Sequence, residues 1–407
     1  MFTPQDQEVL LARGISLEEA ERQMDLFKHP PMPVKLERAC TVGDGVLRLD
    51  AAGQKRLEEK GAELLATGRV SKFVPASGAA TRMFQSLQAD PEGEAASQVK
   101  EKFNCFAFAS EFALETDKIA SVLKRYSQLP KALLKFHAYA GIARTAFEEH
   151  LREGLELGIK KLHFTVLPEH RAEFENLLAA LKLDLDVSFS VQKTSVDTLA
   201  ADERAEPFRD KEGGLVFRPG GHGALLENLN DLQADIVVIK NIDNITQQHL
   251  WPMQLRWKRI LLGLLFEQKV VGKPVRVCGV VKNTGEPGGG PFWVRRGNAV
   301  NRQIVESAQM NLNDPEQKRI FQSATHFNPV DIVASVKGFD LTGFRDDKAV
   351  FLSWKSRNGR SLRALELPGL WNGAMAEWET IFVEVPVETF NPVKTVNDLL
   401  KPAHQPE

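Results

Sequence analysis

Residues 72–86, KFVPASGAATRMFQS, decide the fold, because they predict a short strand, a turn of small residues and then a helix. Phe73 and Val74 suit a buried strand, and Pro75 ends it. The small side chains of the turn allow its backbone N–H groups to approach a ligand closely. A helix that begins at Thr81 would direct its free N–H groups at the turn, an arrangement that favours phosphate.

The candidate phosphate loop contains the turn, the first helical residue and the arginine that follows. Its members are Ser77, Gly78, Ala79, Ala80, Thr81 and Arg82. Arg82 supplies a fixed positive charge and a planar set of hydrogen-bond donors. A tight strand-to-helix connection with a surface arginine explains the same residues equally well, since short glycine-containing motifs often match by chance.

The composition narrows the class of protein. Among 407 residues, 52 Lys and Arg nearly balance 54 Asp and Glu, which argues against broad binding to nucleic acid or acidic membranes. The three cysteines are scattered without a CxxC pair, which indicates a reducing compartment. The longest apolar run, 260–266, is far shorter than the roughly 20 residues of a membrane helix, and the N-terminus lacks a signal-peptide pattern. We expect a cytoplasmic protein with no membrane or nucleic-acid partner; the oligomeric state stays open.

Strand and helix patterns alternate from residue 71 onward, which predicts an α/β domain with a mostly parallel sheet covered by helices on both faces. The predicted strands are 72–75, 133–136, 162–166, 187–191, 215–217, 236–239, 275–281 and 382–385. The predicted helices include 4–28, 50–67, 141–157, 169–181, 254–269 and 396–400. The carboxyl ends of the strands are expected to build the site.

Three parts of the chain follow from this pattern. We predict an N-terminal helical extension over 1–70, a core over 71–345, and a C-terminal segment over 346–407 that completes the active site.

A glycine-rich turn follows the predicted strand at 215–217. In the sequence GGLVFRPGGHG (213–223), Gly221, His222 and Gly223 stand where a helix is expected to begin, near Ala224. Glycines at this density let the backbone approach a flat ligand. A loop that needs positive φ and carries an incidental histidine is the alternative.

Polar residues also follow the buried strand at 236–239. Asp243 lies directly after it, where a carboxylate suits Mg²⁺ bound through substrate phosphates. Capping of the next helix by Asp243 or Asn244 is the alternative. Glu286, in a glycine-rich loop, could accept hydrogen bonds from sugar hydroxyls, although a connecting hairpin explains it better on composition. Lys394 is also a candidate, in FNPVKTVNDLL (390–400), but from the sequence alone a solvated surface lysine is the better explanation.

In this order, the motifs resemble those of the UDP-sugar pyrophosphorylase superfamily, the nucleotidyltransferases with a GT-A-like fold that make UDP-sugars. The chain more closely resembles a bacterial family classed as a domain of unknown function, which carries the same PASGAATRM, RPGGHGAL, NIDN and FNPVKTVNDLL strings. The close resemblance covers most of the chain, and the superfamily resemblance covers about 70–400.

The resemblance implies roles for individual residues. The candidate phosphate loop matches the superfamily's phosphate loop, and Asp243 matches the aspartate that helps to hold the metal. Lys131 resembles the lysine of a Pro-Lys signature, and Lys394 the lysine that reaches phosphate. The implied contacts to base, ribose and sugar fall on Gln192, Gly221, His222, Gly223, Glu286 and Asn328. Arg82, Lys131 and Lys394 would then be catalytic.

The implied reaction transfers a nucleotidyl group from a nucleoside triphosphate, with UTP expected, to a sugar 1-phosphate, with Mg²⁺ as cofactor and pyrophosphate as product. Two departures bear on it. The phosphate loop has Ala79 and Ala80 where the superfamily favours glycine, and Glu388 with Thr389 stand where an arginine often occurs. The alternatives are a non-catalytic nucleotide-sugar-binding protein and a glycosyltransferase-like enzyme on the same fold.

Overall fold

The computed structural model describes residues 2–285, 288–345 and 350–407. Over these ranges the strands are β1 (Leu36–Ala39), β2 (Thr41–Val42), β3 (Gly45–Leu47), β4 (Val70–Pro75), β5 (Lys135–Tyr139), β6 (Ile142–Thr145), β7 (Lys161–Val166), β8 (Asp186–Val191), β9 (Thr198–Ala201), β10 (Phe217–Arg218), β11 (Ile236–Ile239), β12 (Val275–Lys282), β13 (Gly289–Arg296), β14 (Ala299–Glu306), β15 (His326–Ser335), β16 (Phe351–Arg357), β17 (Arg360–Glu366) and β18 (Glu379–Glu384).

The α-helices of the same ranges are α1 (Pro4–Ala12), α2 (Leu17–Lys28), α3 (Ala51–Ala66), α4 (Gln85–Ala89), α5 (Glu94–Glu101), α6 (Lys118–Tyr126), α7 (Ala146–Leu157), α8 (Arg171–Leu181), α9 (Gly221–Asp231), α10 (Trp251–Glu267) and α11 (Pro315–Gln322). None of them combines the length and the apolar character that a bilayer crossing requires.

A mixed sheet of nine strands organises the molecule, in the order β2-β3-β18-β12-β15-β11-β4-β7-β8. β15 runs antiparallel to both of its neighbours, whereas the other neighbouring pairs are parallel. The carboxyl ends of β4, β7, β8, β11, β12 and β18 therefore meet the start of β15 at one edge, which we call the upper edge. This confirms the predicted α/β class, with one antiparallel strand inserted into the sheet.

The central strands are buried on both faces, and most of their residues are apolar. All residues of β4 and β11 are buried, as expected for strands with helices on either side. Along β4, Val74 belongs to the core under α3, α7 and α10, and Phe73 to the opposite core under α9. Two glycines let α3 and α10 approach closely: a Cβ at Gly61 or at Gly263 would meet a carbonyl oxygen of the other helix at 1.9 Å.

Smaller sheets surround the main one. They are β1-β13-β14, β10-β9-β17-β16 and the hairpin β5-β6. Helices α1 and α2 pack on the four-stranded sheet through a core that includes Leu10, Phe27 and Leu199. The predicted domain boundaries stay a prediction, but the segment 1–70 is not helical throughout, since β2 and β3 extend one edge of the main sheet.

Two predicted strands lie elsewhere than expected. The strand predicted at 133–136 begins at Lys135 and pairs with β6, which occupies the start of the helix predicted at 141–157; α7 begins only at Ala146, with Thr145 as its cap. The strand predicted at 215–217 is β10, at one edge of the four-stranded sheet. Both differences arise from local hairpins, whose pairing the apolar pattern does not encode.

Buried lysines lie beneath the upper edge. Lys72 and Lys258 both bind Glu153, at 2.6 Å and 2.8 Å, and Lys240 binds Asp331 at 3.0 Å. All five side chains are almost completely buried, and burial lowers the pKa of Lys72 to about 8. Pairing makes such burial tolerable, because an unpaired charge in the interior would be very costly.

Candidate functional site

Two lysines and one aspartate from distant parts of the chain meet at the upper edge. Asp243 follows β11, and its Oδ2 lies 2.9 Å from Lys394 Nζ and 3.4 Å from Lys131 Nζ. The Lys394 side chain is 60% exposed, whereas those of Asp243 and Lys131 are 11% and 13% exposed. We call these three residues the lysine–aspartate cluster. Its solvent-exposed member is Lys394.

Backbone pairing brings the cluster together. The loop after β11 forms a bridge with the C-terminal strip: Val393 N donates to Asp243 O at 2.9 Å, and Asn244 opposes Pro392. Lys131 Nζ also donates to Val393 O at 2.9 Å. These hydrogen bonds bring Lys394 of the C-terminal segment to Asp243, although 150 residues lie between the two in the sequence.

Asn244 holds the strip by its side chain. Its Oδ1 accepts from Asn391 N at 2.9 Å, and its Nδ2 donates to Thr389 O at 3.3 Å. The alternative in which Asn244 caps the following helix is therefore not what the structure shows. Thr389 stands where the superfamily often has an arginine. In this chain its backbone carbonyl accepts the hydrogen bond from Asn244.

The lysine–aspartate cluster carries two positive charges and one negative charge, which favours an anion. Burial lowers the pKa of Lys131, and the charge of Lys394 lowers it further, while Asp243 opposes the shift. Asp243 Oδ1 is buried and has no hydrogen-bond partner among the described residues. That oxygen fits a Mg²⁺ ion, which commonly binds one carboxylate together with substrate phosphates. Within the described ranges, no set of three or more His, Cys, Asp or Glu residues is grouped to hold a metal without substrate.

The candidate phosphate loop lies beside Lys131. Gly78 O accepts from Lys131 N at 3.0 Å, and Ala80 N donates to Leu129 O at 2.9 Å. A Cβ at Gly78 would meet nothing within 4 Å, so the space in front of this glycine is open. Ser77 is half-buried and Ala79 is exposed. The loop therefore presents backbone to solvent next to the cluster, but the N–H of Ala80 is already used.

The predicted helix after this loop is wrong in type. Residues Ala80–Phe84 form a short 3₁₀-helix, and α4 begins only at Gln85. Because this helix is short and irregular, its macrodipole is small. The macrodipole therefore does not provide the attraction for phosphate that the sequence predicts at Thr81. Thr81 Oγ1 donates to Ser127 O at 3.1 Å instead. The side chain of Arg82 is exposed, and no ion pair holds it within the described ranges.

The glycine turn begins α9 three residues earlier than predicted. Gly221 has φ +65° and is open on the side where a Cβ would stand, whereas a Cβ at Gly223 would lie 1.8 Å from Pro368 O. Gly221 thus leaves room for a ligand, and Gly223 allows close packing of the chain. The positive-φ explanation therefore applies to Gly221, whereas Gly223 is required by close packing; a ligand contact at this turn stays a prediction.

His222 of this turn is influenced by the charges of the lysine–aspartate cluster. Its Nδ1 accepts from Leu370 N at 3.2 Å, and its ring packs edge-on against Trp371 at 4.4 Å between centroids. Burial lowers the pKa of His222 to about 4; the negative charge of Asp243 opposes the shift and the positive charge of Lys394 adds to it. The imidazole is therefore neutral near pH 7, which suits a hydrogen-bonding role better than that of a cation.

Gln192 follows β8 and binds the glycine turn. In the orientation that satisfies both ends of its amide, Oε1 accepts from Gly220 N at 2.9 Å and Nε2 donates to Gly221 O at 3.2 Å. Gln192, Gly221 and His222 thus form one group at the upper edge, close enough to the cluster for His222 to sense its charges.

Asn328 and Glu286 are the two predicted sugar contacts. Asn328 lies at the start of β15, at the upper edge, and its Oδ1 is buried without a partner among the described residues. Its Nδ2 would be 3.8 Å from a Cβ at Gly288. Glu286 lies outside the described residues. Asn328 therefore has the free hydrogen-bonding capacity that a ligand contact needs.

Sequence reasoning missed Trp371 and the structural role of Asn244. Trp371 lies in an irregular segment without motif or periodicity, so no local signal identifies it. The signal for Asn244 was present: an amide directly beside Asp243 can bind backbone on either side, but its partner strip lies about 150 residues away.

A family model described as Domain of unknown function (DUF4301) matches residues 3–124, 119–272 and 266–405. The chain belongs to this family. No curated protein sequence matches it significantly. The resemblance inferred from the PASGAATRM and FNPVKTVNDLL strings is thereby confirmed, and the match extends over nearly the whole chain.

Solved structures of UDP-sugar pyrophosphorylases have the same fold as this DUF4301 chain. The UDP-N-acetylglucosamine pyrophosphorylase from Trypanosoma brucei gives a TM-score of 0.55 at 15% identity, covering 94% of this chain and 74% of that one. A UDP-glucose phosphorylase from T. brucei gives 0.55 at 16%, covering 97% and 77%. A UDP-glucose pyrophosphorylase mutant from Leishmania major, in complex with UDP-glucose, gives 0.53 at 16%, covering 98% and 79%. The predicted nucleotidyltransferase fold is confirmed.

Proposed function

We propose that this protein is a Mg²⁺-dependent nucleotidyltransferase that joins a nucleoside triphosphate, with UTP as the donor, to a sugar 1-phosphate. The observation that carries the proposal is the lysine–aspartate cluster: two lysines, from residues 131 and 394, converge on Asp243 beside an open glycine loop. The shared fold supports it, as do the substrates named for the similar structures.

The reaction needs alignment and charge neutralisation rather than a covalent intermediate. An oxygen of the sugar 1-phosphate attacks the α-phosphorus, a new P–O bond forms, and the bond to the β-phosphate breaks to release pyrophosphate. Negative charge spreads over the transferring group in the transition state. Lys131 and Lys394 would neutralise this charge, and the open backbone at Gly78 and the exposed Arg82 would hold the leaving pyrophosphate.

Asp243 is the residue that would hold Mg²⁺. The ion would neutralise phosphate charge and orient the two substrates. Its binding would give Asp243 Oδ1 the partner that the described residues do not provide. Lys394, whose side chain is mostly exposed, would then exchange Asp243 for a phosphate oxygen.

The remaining predicted residues would recognise the rest of the substrates. Gln192, Gly221 and His222 would contact the base and ribose, and Gly223 shapes the turn that presents them. Asn328 and Glu286 would contact the sugar. A cytoplasmic location is part of the same proposal.

The test is pyrophosphate release by the full chain, with each of the four nucleoside triphosphates, a panel of sugar 1-phosphates and Mg²⁺. We expect release that requires a sugar phosphate and that chelation with EDTA abolishes. Arg82→Ala should reduce the rate about 10²–10³-fold, as the loss of a transition-state donor does. No release with any pair of substrates would refute the proposed reaction.

A nucleotide-sugar-binding protein without catalysis is the second candidate. One observation favours it: the N–H of Ala80 is engaged by Leu129 O, so the loop has fewer free donors for a triphosphate. Such a protein would be stabilised by UDP-sugar in a thermal shift assay and would release no pyrophosphate. Release of a nucleoside diphosphate would instead indicate a glycosyltransferase.

A further inference from the structure

A buried histidine anchors the segment Pro402–His404, which we call the latch segment. His404 is 1% exposed, and its Nδ1 lies 3.0 Å from His137 Nε2 of β5, with the two rings stacked at 5.3 Å between centroids. His137 Nδ1 in turn lies 2.9 Å from Glu149 Oε1 of α7. Because His137 and Glu149 are completely buried, the latch segment is held by a chain of hydrogen bonds inside the protein.

The charges around this chain define its donors and acceptors. Glu149 Oε1 also accepts from Tyr139 Oη at 2.7 Å, and Arg144 Nη1 lies 3.7 Å from Glu149 Oε2. A carboxylate only accepts, so His137 Nδ1 donates to it, and the Nε2 of neutral His137 accepts from His404 Nδ1. Burial and the neighbouring His137 lower the pKa of His404 to about 3, so its imidazole is neutral near pH 7. His404 is therefore the donor in this contact.

The latch segment is also joined to the loop that carries Asp243. Gln247 lies four residues after Asp243, and its N donates to Ala403 O at 3.0 Å. Its Nε2 donates to His404 O at 3.4 Å and to Ala138 O at 3.2 Å. One glutamine thus connects the loop after β11, the end of β5 and the latch segment.

Lys394 lies on the stretch of chain between two fastened points. At one end Val393 N donates to Asp243 O at 2.9 Å, and at the other the latch segment binds His137. Between them, Asp398 Oδ2 accepts from Lys394 N at 2.9 Å. The Lys394 side chain is 60% exposed, and an exposed ion pair stabilises a structure only slightly. The position of Lys394 Nζ therefore depends on how the backbone on either side is held.

We propose that His404 is a positioning residue for Lys394: through its hydrogen bond to His137, it holds the C-terminal strip where the lysine reaches the phosphates. This rests on the proposed function, which gives Lys394 its role in the transition state. A displacement of about 1 Å far from the chemistry can cost about 10²-fold in rate. Because other residues would recognise the base and ribose, loss of the latch should lower kcat and leave KM nearly unchanged.

The test measures steady-state pyrophosphate release by variants of the full chain. His404→Leu removes the donor and should lower kcat about 10–100-fold, with the KM for the nucleoside triphosphate changed less than about threefold. His404→Asn keeps a donor at the place of Nδ1 and should hold kcat within about threefold of the wild type. Val396 and Leu399 belong to the core and keep the strip attached, so both variants should fold.

His163→Leu is the matched control, because it removes another buried histidine. His163, on β7, is held by Ser188 Oγ at 2.8 Å and by Ser190 Oγ at 2.7 Å. Its loss should lower the melting temperature and leave kcat and KM unchanged. An equal fall of kcat in this control would show that general destabilisation is responsible, and would overturn the role of His404.

A double-mutant cycle shows whether His404 acts through Lys394. In the Lys394→Met background, His404→Leu should cause no further fall in kcat, because the side chain that the latch positions is already absent. An equal fall in both backgrounds would mean that His404 supports the site in some other way, and would overturn the proposal.

Hydrogen exchange tests the latch without activity. The amide of Val393, which donates to Asp243 O, should exchange at least about tenfold faster in His404→Leu than in the wild type, and unchanged exchange would overturn the latch. No pyrophosphate release by the wild type with any pair of substrates would overturn the proposed function and the catalytic part of this inference together. Release by the wild type with unchanged kcat in His404→Leu, or no recovery in His404→Asn, would overturn the role of His404 alone.

Discussion

Replacement of Lys394 by Met should separate catalysis from stability. The Lys394 side chain is 60% exposed and binds Asp243 through a single 2.9 Å contact, and Lys131, whose Nζ is 3.4 Å from the same oxygen, remains to pair with Asp243 after the substitution. An exposed ion pair contributes about 0.2–1 kcal/mol. We therefore expect the free energy of unfolding to fall by less than about 1 kcal/mol.

The expected loss of activity is much larger. If Lys394 neutralises charge that develops during phosphoryl transfer, its removal should lower kcat about 10²–10³-fold. At about 1.4 kcal/mol for each factor of ten, the transition state loses roughly 2.7–4 kcal/mol. The transition-state loss thus exceeds the loss of stability by at least about 1.7 kcal/mol.

The assay pairs steady-state pyrophosphate release with urea unfolding of the same preparations. Lys401→Met is the matched control, because Lys401 is 65% exposed and pairs with Asp398 within the same C-terminal strip. It should change neither kcat nor stability appreciably. Activity of Lys394→Met within tenfold of the wild type, or an equal fall in the control, would refute the role of Lys394.

Three further predictions concern the fold and pH. Lys258→Met should cost about 3–5 kcal/mol in chemical denaturation, because it breaks a buried ion-pair network; a cost below 1 kcal/mol would contradict that. Gly223→Ala should fail to fold or lose nucleotide binding, since its Cβ would overlap Pro368 O, whereas Gly221→Ala, with open space, should fold with strain of about 1 kcal/mol; circular dichroism and melting distinguish them. His222 has its pKa lowered from 6.5 to about 4, so the unfolded chain takes up a proton first as pH falls through this window. The wild type should lose up to about 3 kcal/mol more stability than His222→Asn between pH 6.5 and 4, and equal losses in urea titrations would rule this out.

The sequence predicts most reliably the parts of the molecule that burial decides. The strand at 236–239 is observed with the predicted bounds, and β4 extends the predicted strand by two residues; both strands are buried on both faces. The residues directly after them, including Asp243, consequently lie at the upper edge.

Tertiary hydrogen bonds decide what the sequence could not show. The turn after β4 does not lead into a helix at Thr81, since the N–H of Ala80 is drawn to Leu129 O and the chain continues as a 3₁₀-helix. The pairing of Arg13 with Asp197 joins residues 184 positions apart, so neither composition nor periodicity reveals it. The resemblance to a known superfamily, rather than any local pattern, identified Lys131 and Lys394.

The central claim is that the lysine–aspartate cluster surrounds the phosphates of one nucleotide substrate. A crystal structure of the full chain with UDP-glucose or UTP and Mg²⁺ tests this most directly. The predicted result places phosphate oxygens within hydrogen-bond distance of Lys131 and Lys394, with the metal on Asp243 Oδ1. A nucleotide bound elsewhere, with the contacts between Asp243 and the two lysines unchanged, would contradict it.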